Sequence, residues 1–291
     1  MTDVKKKNEL KHHGILGMKW GVRRYQPYPK GKHGTFLGQS RDEDIKISKG
    51  TKAYRVQRED TVSGEGQAYV SFDMFDNLTY VTSASAGWGV AMQCTTEGAD
   101  KKGNKGYALT LALENDLIAP SYQKTMDAFI DTMKDVGTKQ FINDVVGDGN
   151  RKSDEVKAFT KNLKHLTVDQ ARDDAYFQFS KSLFRDTESR KAFFSRLEKE
   201  GYNAIIDEAD YRFLDGTGVT GFGGAVARTP VIVFSKTDLK QTGKIGITDE
   251  DSKMFVSGIQ GGTPDNNSKT AKKWRKYAGS SFDDFTRDLW Y

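Results

Sequence analysis

The side chains able to do covalent or metal chemistry are few in this sequence, and their types restrict what it can catalyse. Cys94 is the single cysteine in 291 residues, which excludes an internal disulfide framework and a cysteine-based zinc site. The histidines are His12, His13, His33 and His165; three of the four fall in the first 34 residues, so imidazole chemistry is nearly excluded from the rest. The five glycines of residues 215–224 lack the GxxxxGK[ST] spacing of a phosphate loop. Asp173-Asp174 and Asp249-Glu250-Asp251 lack the spacing of a calcium loop and read as solvated faces, so no metal site is expected. Recognition chemistry is better represented. Between Lys11 and Tyr25, Ile15, Leu16, Met18, Trp20, Val22 and Tyr25 alternate with Gly14, Gly17 and Gly21, and Arg23-Arg24 sit beside them. Trp, Tyr and Arg anchor interfaces more often than other side chains, and glycine at this density prevents a helix. The segment has the composition of a docking peptide, with His13, Met18, Trp20, Arg23, Arg24 and Tyr25 as its contact residues.

Charge separates this segment from the remainder. Residues 1–34 hold nine Lys or Arg against Asp3 and Glu9, a balance of +7, while the whole chain is +5, leaving −2 for everything that follows. A basic arm on a near-neutral body can dock on an acidic protein rim or on nucleic-acid phosphates, in either case with salt dependence. No run of about eighteen apolar residues is present, so no membrane span is expected. Mean hydropathy is −0.68, polar for a globular chain, yet 17 Phe, 12 Tyr and 4 Trp suffice for a core.

The body begins near Ile45. Residues 52–57, 67–72, 79–82 and 107–113 carry strand patterns. Residues 121–200 change to helical period: Met126, Phe129, Ile130 and Met133 share a face, as do Val156, Phe159 and Leu163. Thr167 with Gln170 resembles a capping box ahead of Ala171, Ala175 and Phe179. Asp186 is placed to cap a helix burying Phe193, Phe194 and Leu197, with Gly201 ending it. Strand patterns return at 203–207 and 230–235. Strands, a helical block, then strands again predict an α+β domain over 45–240, preceded by an arm at 1–44 and followed by a polar extension at 241–291. Within that extension, Lys272-Lys273-Trp274-Arg275-Lys276-Tyr277 interleaves aromatics with cations in a way that suits single-strand stacking.

Three features recur in order along the body. Tyr54-Arg55 lies on the opening strand; Tyr69-Val70-Ser71-Phe72 is followed by Tyr80 and Ser83-Ala84-Ser85; and residues 201–210 end in Asp207-Glu208-Ala209-Asp210 before the glycine-rich loop and Pro230–Phe234. This set resembles ADP-ribosyltransferase-like domains, with a split β core and a helical insertion. The resemblance implies that Arg55 orients a dinucleotide, that Ser71 or Ser83 is the second-strand serine, and that Tyr69 and Tyr80 border the NAD pocket. Many members carry a glutamate just before the last strand, where this chain has Arg228, whose sign is wrong for stabilising positive charge. Asp207 or Glu208 is the available substitute, and the expectation is an inactive transferase-like domain.

The arm carries a second resemblance. His12-His13-Gly14-Ile15-Leu16-Gly17-Met18-Lys19-Trp20-Gly21-Val22-Arg23-Arg24-Tyr25 is similar to a short motif at the ends of otherwise unrelated proteins of tailed phages and prophages of Gram-positive bacteria. It implies a virion-associated protein docking to capsid or portal components, in the virion and, during assembly, in the host cytoplasm. The competing expectations are a mono-ADP-ribosyltransferase using NAD on a host protein, and nucleic-acid binding through the arm and residues 272–277. Only the transferase requires a cofactor.

Overall fold

The computed structural model describes residues 43–70, 72, 103–147, 153–183, 185–206, 231–251, 253–254, 265 and 267–278. It is a mixed α and β structure with small sheets. Strands β1 (Ile45–Ile47), β2 (Lys52–Gln57), β3 (Ala68–Val70), β4 (Gly106–Leu113) and β5 (Leu117–Ala119) come first. Helices α1 (Tyr122–Val136), α2 (Thr138–Val146), α3 (Asp154–Asn162), α4 (Asp169–Ser180) and α5 (Glu188–Lys199) follow. Then come β6 (Ala204–Ile206), β7 (Val231–Val233), β8 (Leu239–Ile247) and α6 (Lys269–Ala278). The expected strand at 79–82 and the arm at 1–42 lie outside the described residues.

Two three-stranded antiparallel sheets, in the orders β2-β4-β8 and β3-β7-β6, form the centre, with β1 and β5 paired beside them. In the second sheet Val70, Val231 and Ile206 share a rung, Tyr69, Ile232 and Ile205 the next, and Ala68, Val233 and Ala204 the third. Side chains alternate between faces along a strand, so the first and third rungs point one way and the middle rung the other. The outer rungs join Ala53, Leu109, Leu111, Leu113 and Leu239 of the first sheet in one apolar cluster. The middle rung joins the helices instead, through Ile205, Ile232 and Tyr69. The β3-β7-β6 sheet is therefore a filling between a second sheet and a helical layer, and its strands read as continuous apolar runs for that reason.

The helical layer is held by rings. Phe179 of α4 stands 5.0 Å from Phe141, 5.4 Å from Phe129 and 5.2 Å from Phe193, so one side chain ties α1, α2 and α5 together. Phe194 carries the contact on to Phe234, 5.0 Å away beyond β7. Such edge and offset arrangements add about 0.5–1.5 kcal/mol each to the area they bury. The caps differ from expectation at two helices. Val168, not Thr167, precedes α4, with no side-chain cap, because His165 accepts the Val168 N–H in a tight turn that sets where the helix begins. Thr187, not Asp186, caps α5 by accepting from Arg190 N, while Asp186 pairs outward with Lys191. Gly201 does end α5: at φ +90° it lets Tyr202 N reach Leu197 O and Gly201 N reach Glu198 O, the paired bonds of a Schellman turn.

The described residues past 240 pack with the body. β8 runs across that point to Ile247, and α6 lies on the outer face of the first sheet, where the Tyr277 hydroxyl meets Thr110 Oγ1 and donates to Ala108 O. Asp251, expected on a solvated face, is 1% exposed. Its Oδ2 accepts from Thr248 N, Thr248 Oγ1 and Lys273 Nζ, and its Oδ1 from Trp274 Nε1 at 2.8 Å. Trp274 is itself fully buried, which removes it from any base-stacking role. Burying a carboxylate is tolerable only when its acceptor sites are filled, and here four donors fill them. Asp251→Ala strands these donors and is expected to lower unfolding free energy by about 3 kcal/mol. Urea denaturation checks this; a change below about 0.5 kcal/mol refutes the clasp.

Candidate functional site

Arg55 sits on the inner face of the first sheet, because it lies opposite Leu109 in register and Leu109 belongs to the inter-sheet core. Lys244 of β8 occupies the same rung on the other side of Leu109. Two strand spacings separate the cations, roughly 10 Å between backbones. The next rung holds Gln57, Tyr107 and Gly246. The inner face thus changes from apolar at Leu113, Leu111 and Ala53 to polar at Arg55, Gln57 and Lys244, and this polar end forms the candidate site.

β2 and β3 are the edge strands of their sheets. The half-buried Arg55 spans the gap between them: Nη1 donates to Tyr69 O at 2.8 Å, and Nε donates to Gln57 Oε1 at 2.6 Å. Gln57, 8% exposed, is fixed in turn by donating to Glu59 O and Thr61 O. Burial pushes the Arg55 guanidinium pKa down, and the charge of Glu59 works against that shift. Among the described residues no hydrogen bond uses Arg55 Nη2. Lys244 pairs with Asp60 and lies 5.9 Å from the Tyr107 ring centre, with both charges of the pair nearly half exposed. The arrangement closes the seam between the sheets, with Lys244 committed to Asp60 and only Arg55 Nη2 left without a hydrogen bond among the described residues.

Of the expected site residues, Arg55 and Tyr69 are the two that the structure describes, and it joins them through the Tyr69 carbonyl rather than its ring. Ser71, Ser83, Tyr80, Glu208 and Asp207 lie outside the described residues, as do His13, Met18, Trp20, Arg23, Arg24 and Tyr25. Gln57 and Lys244 were not anticipated from sequence; alternation along β2 would have placed Gln57 with Arg55, whereas Gly243 and Gly246 hide the strand that carries Lys244. Among the described residues no three His, Cys, Asp or Glu side chains group as metal ligands. A shallow open groove of about 530 Å³ lies elsewhere, along α3, bordered by Lys157, Lys161, Lys164 and His165. Among the described residues no helix is long and apolar enough to cross a membrane.

The arm enters the body at a second polar cluster. Asp44 Oδ1 accepts from Ser121 N at the start of α1, and Oδ2 accepts from Lys124 Nζ at 2.7 Å and the Tyr202 hydroxyl at 3.0 Å. Lys124 Nζ also donates to Tyr202 Oη at 2.8 Å. Asp44 therefore packs with the body, although the boundary read from the sequence places it in the arm at 1–44. Burial works to raise the Asp44 pKa, but the bonds from Lys124, Ser121 and Tyr202 outweigh it and hold it below 3.8. The bond to Asp44 raises Lys124 above 10.5, with Tyr202 adding to the shift. Burial raises Tyr202 above 10.0, against the bond with Lys124.

These geometries stand beside a limited set of likenesses. Residues 1–27 match a family of unknown function, DUF7211. No curated protein and no solved structure matches the chain. The matched stretch falls wholly within the basic arm and ends before the first described strand.

The shifts at the arm's root set a pH dependence. Asp44, depressed in the fold, contributes stability that is present above 3.8 and lost as pH falls through its folded value. Lys124 and Tyr202, both raised, contribute stability that is complete below about pH 10 and lost as pH climbs through their folded values. Urea midpoints measured against pH should fall on both limbs, and Lys124→Met should flatten the alkaline one. A Lys124→Met curve running parallel to the parent's above pH 10 disproves the coupling.

Proposed function

We propose that the chain is a phage virion-associated protein whose N-terminal arm docks it onto a capsid or portal component, with the α+β body carried as a structural or cargo module. The observation that carries this reading is the separateness of the two parts. A family match confined to residues 1–27 falls in the stretch that holds the excess positive charge, while the body from Ile45 has its own apolar clusters and positive and negative charges in balance. A recognisable unit that ends ahead of the described strands and helices supports reading it as an attachment device, and its residues suit attachment. Trp20, Met18 and Tyr25 bury in a groove while Arg23 and Arg24 pair with an acidic rim. Removing residues 1–34 is expected to leave the unfolding midpoint of the body unchanged and to eliminate the protein from purified particles. Normal incorporation of the shortened chain rejects the proposal.

One observation favours a second reading, an ADP-ribosyltransferase-like fold acting on a host protein with NAD. Two facing three-stranded sheets with an arginine at the seam suit a split β core, and the unspent edge of Arg55 suits a phosphate of the dinucleotide. On that reading Glu208 supplies the carboxylate, supported by Arg55, Ser71 and Ser83. Labelled NAD incubated with the protein and host lysate should then give a labelled band that Glu208→Ala removes, and an empty gel counts against it.

A further inference from the structure

The helix α6, Lys-Thr-Ala-Lys-Lys-Trp-Arg-Lys-Tyr-Ala over Lys269–Ala278, contains five cations and no acid. Its rotation about its axis is fixed by the inward side chains. Trp274 Nε1 is held by Asp251, Tyr277 by Thr110 and Ala108, and Lys273 Nζ by Asp251 and Gly246 O. Ser268 caps the helix by accepting from Ala271 N. With those residues turned toward the sheet, helical period places Lys269, Lys272 and Lys276 together on the opposite side. All three are exposed, and none of their side chains forms an ion pair or hydrogen bond among the described residues. Neighbours three and four apart stand about 5–6 Å from each other and repel. Lys269 also faces the positive end of the helix dipole. A firmly held helix thus presents a strip of positive charge about 10 Å long that no acid among the described residues pairs with.

We propose that this strip docks on the phosphate backbone of double-stranded nucleic acid. The choice of partner follows from what the outward face lacks. A protein interface needs an apolar or aromatic centre, and both aromatics of α6 are committed to the sheet. Single-strand recognition needs exposed rings on which bases stack, and Trp274 is fully buried. Closely spaced cations alone, on a firm support, match a duplex, which offers a phosphate every 3.4 Å along each strand and needs no side-chain complementarity. The contacts are sequence-independent and position nothing but the backbone. This inference stands apart from the docking role of the arm.

The test uses the full chain and fluorescence anisotropy with a fluorescein-labelled 20-base-pair DNA duplex of mixed sequence, titrated at several salt concentrations. Combining Lys269→Gln, Lys272→Gln and Lys276→Gln should reduce the slope of log affinity against log salt by about 2.7, at about 0.9 per phosphate contact. Between 50 and 200 mM salt the parent should therefore lose roughly forty-fold more affinity than the variant. An Arg23→Ala, Arg24→Ala variant measures the arm's share separately and should leave the α6 contribution in place. The urea midpoint verifies folding; if the triple variant is destabilised, the single Lys272→Gln and Lys276→Gln variants should each lower the slope by about 0.9. Unchanged slope and affinity overturn the proposal. So does tighter binding of a single-stranded 20-mer, or competition by polyglutamate as effective as by unlabelled duplex.

Discussion

Double-sided burial of the β3-β7-β6 sheet is the constraint from which the rest of the architecture follows. Three strands of three residues each make too little hydrogen bonding to persist alone. Val231, Ile232 and Val233 are all buried, as are Ala204, Ile205 and Ile206, so neither face tolerates water. One face requires another sheet, and β2-β4-β8 supplies Leu109, Leu111 and Leu113. The other requires helices, and the block between β5 and β6 supplies Phe129, Phe193 and Phe194. Polar residues are displaced to the margins: Asn203 at the β6 entrance bonds with Ile118 N and Asp116 O, and Gln67 at the β3 entrance accepts from Arg190. Every candidate site lies at such a margin, because the centre has no room for a hydrated group.

How far the sequence revealed this depended on whether a signal was local. The helical block was legible, since Phe129 and Met126, or Phe193 and Leu197, repeat at helical spacing within their own elements. β7 was legible because an unbroken apolar run bounded by a proline has few other uses. β1 and β5 were not, being three residues long with Lys46 and Ile118 exposed between buried neighbours. β8 was hidden by Thr242, Gly243 and Gly246; its register shifts near Thr110, and what holds it is pairing with β4, more than a hundred residues earlier. The same distance explains the misreading of residues 249–277. An Asp in an acidic triplet and a Trp in a basic run each look solvated until the chain brings Asp251 and Trp274 together. Of the candidate site, the identity of Arg55 was legible and its partners were not, because carbonyl acceptors such as Tyr69 O leave no trace in residue type.

Arg55 shows how one residue serves packing and chemistry at once. A guanidinium has five N–H donors in a rigid fork. Its Nε and Nη1 are spent on Gln57 and the Tyr69 carbonyl, across a seam that no ladder hydrogen bond bridges. Lysine, with a single mobile ammonium, would not reproduce both bonds along the strand and across it. What remains of the fork, the Nη2 amino group, makes no hydrogen bond among the described residues, so the bonds along the strand and across the seam fix the group without using all its donors.

The charge distribution has a similar logic. The chain carries an excess of cations in two places, the arm and the outer face of α6, and each is attached to the body through a carboxylate that accepts from a lysine. At the arm's root Asp44 takes Lys124, and beneath α6 the buried Asp251 takes Lys273. In both clusters the anion also binds groups with no charge to offer, Ser121 N and the Tyr202 hydroxyl in one, Thr248 and the Trp274 indole in the other. Each carboxylate therefore works as a structural rivet, and beneath α6 Asp251 takes up Lys273 on the inner side while Lys269, Lys272 and Lys276 have no acidic partner among the described residues. Had Asp251 lain on the surface, it would have neutralised the helix it now supports. Its burial lets α6 be firmly placed and strongly positive, and these two properties together are what separate a polyanion-binding face from an ordinary basic helix.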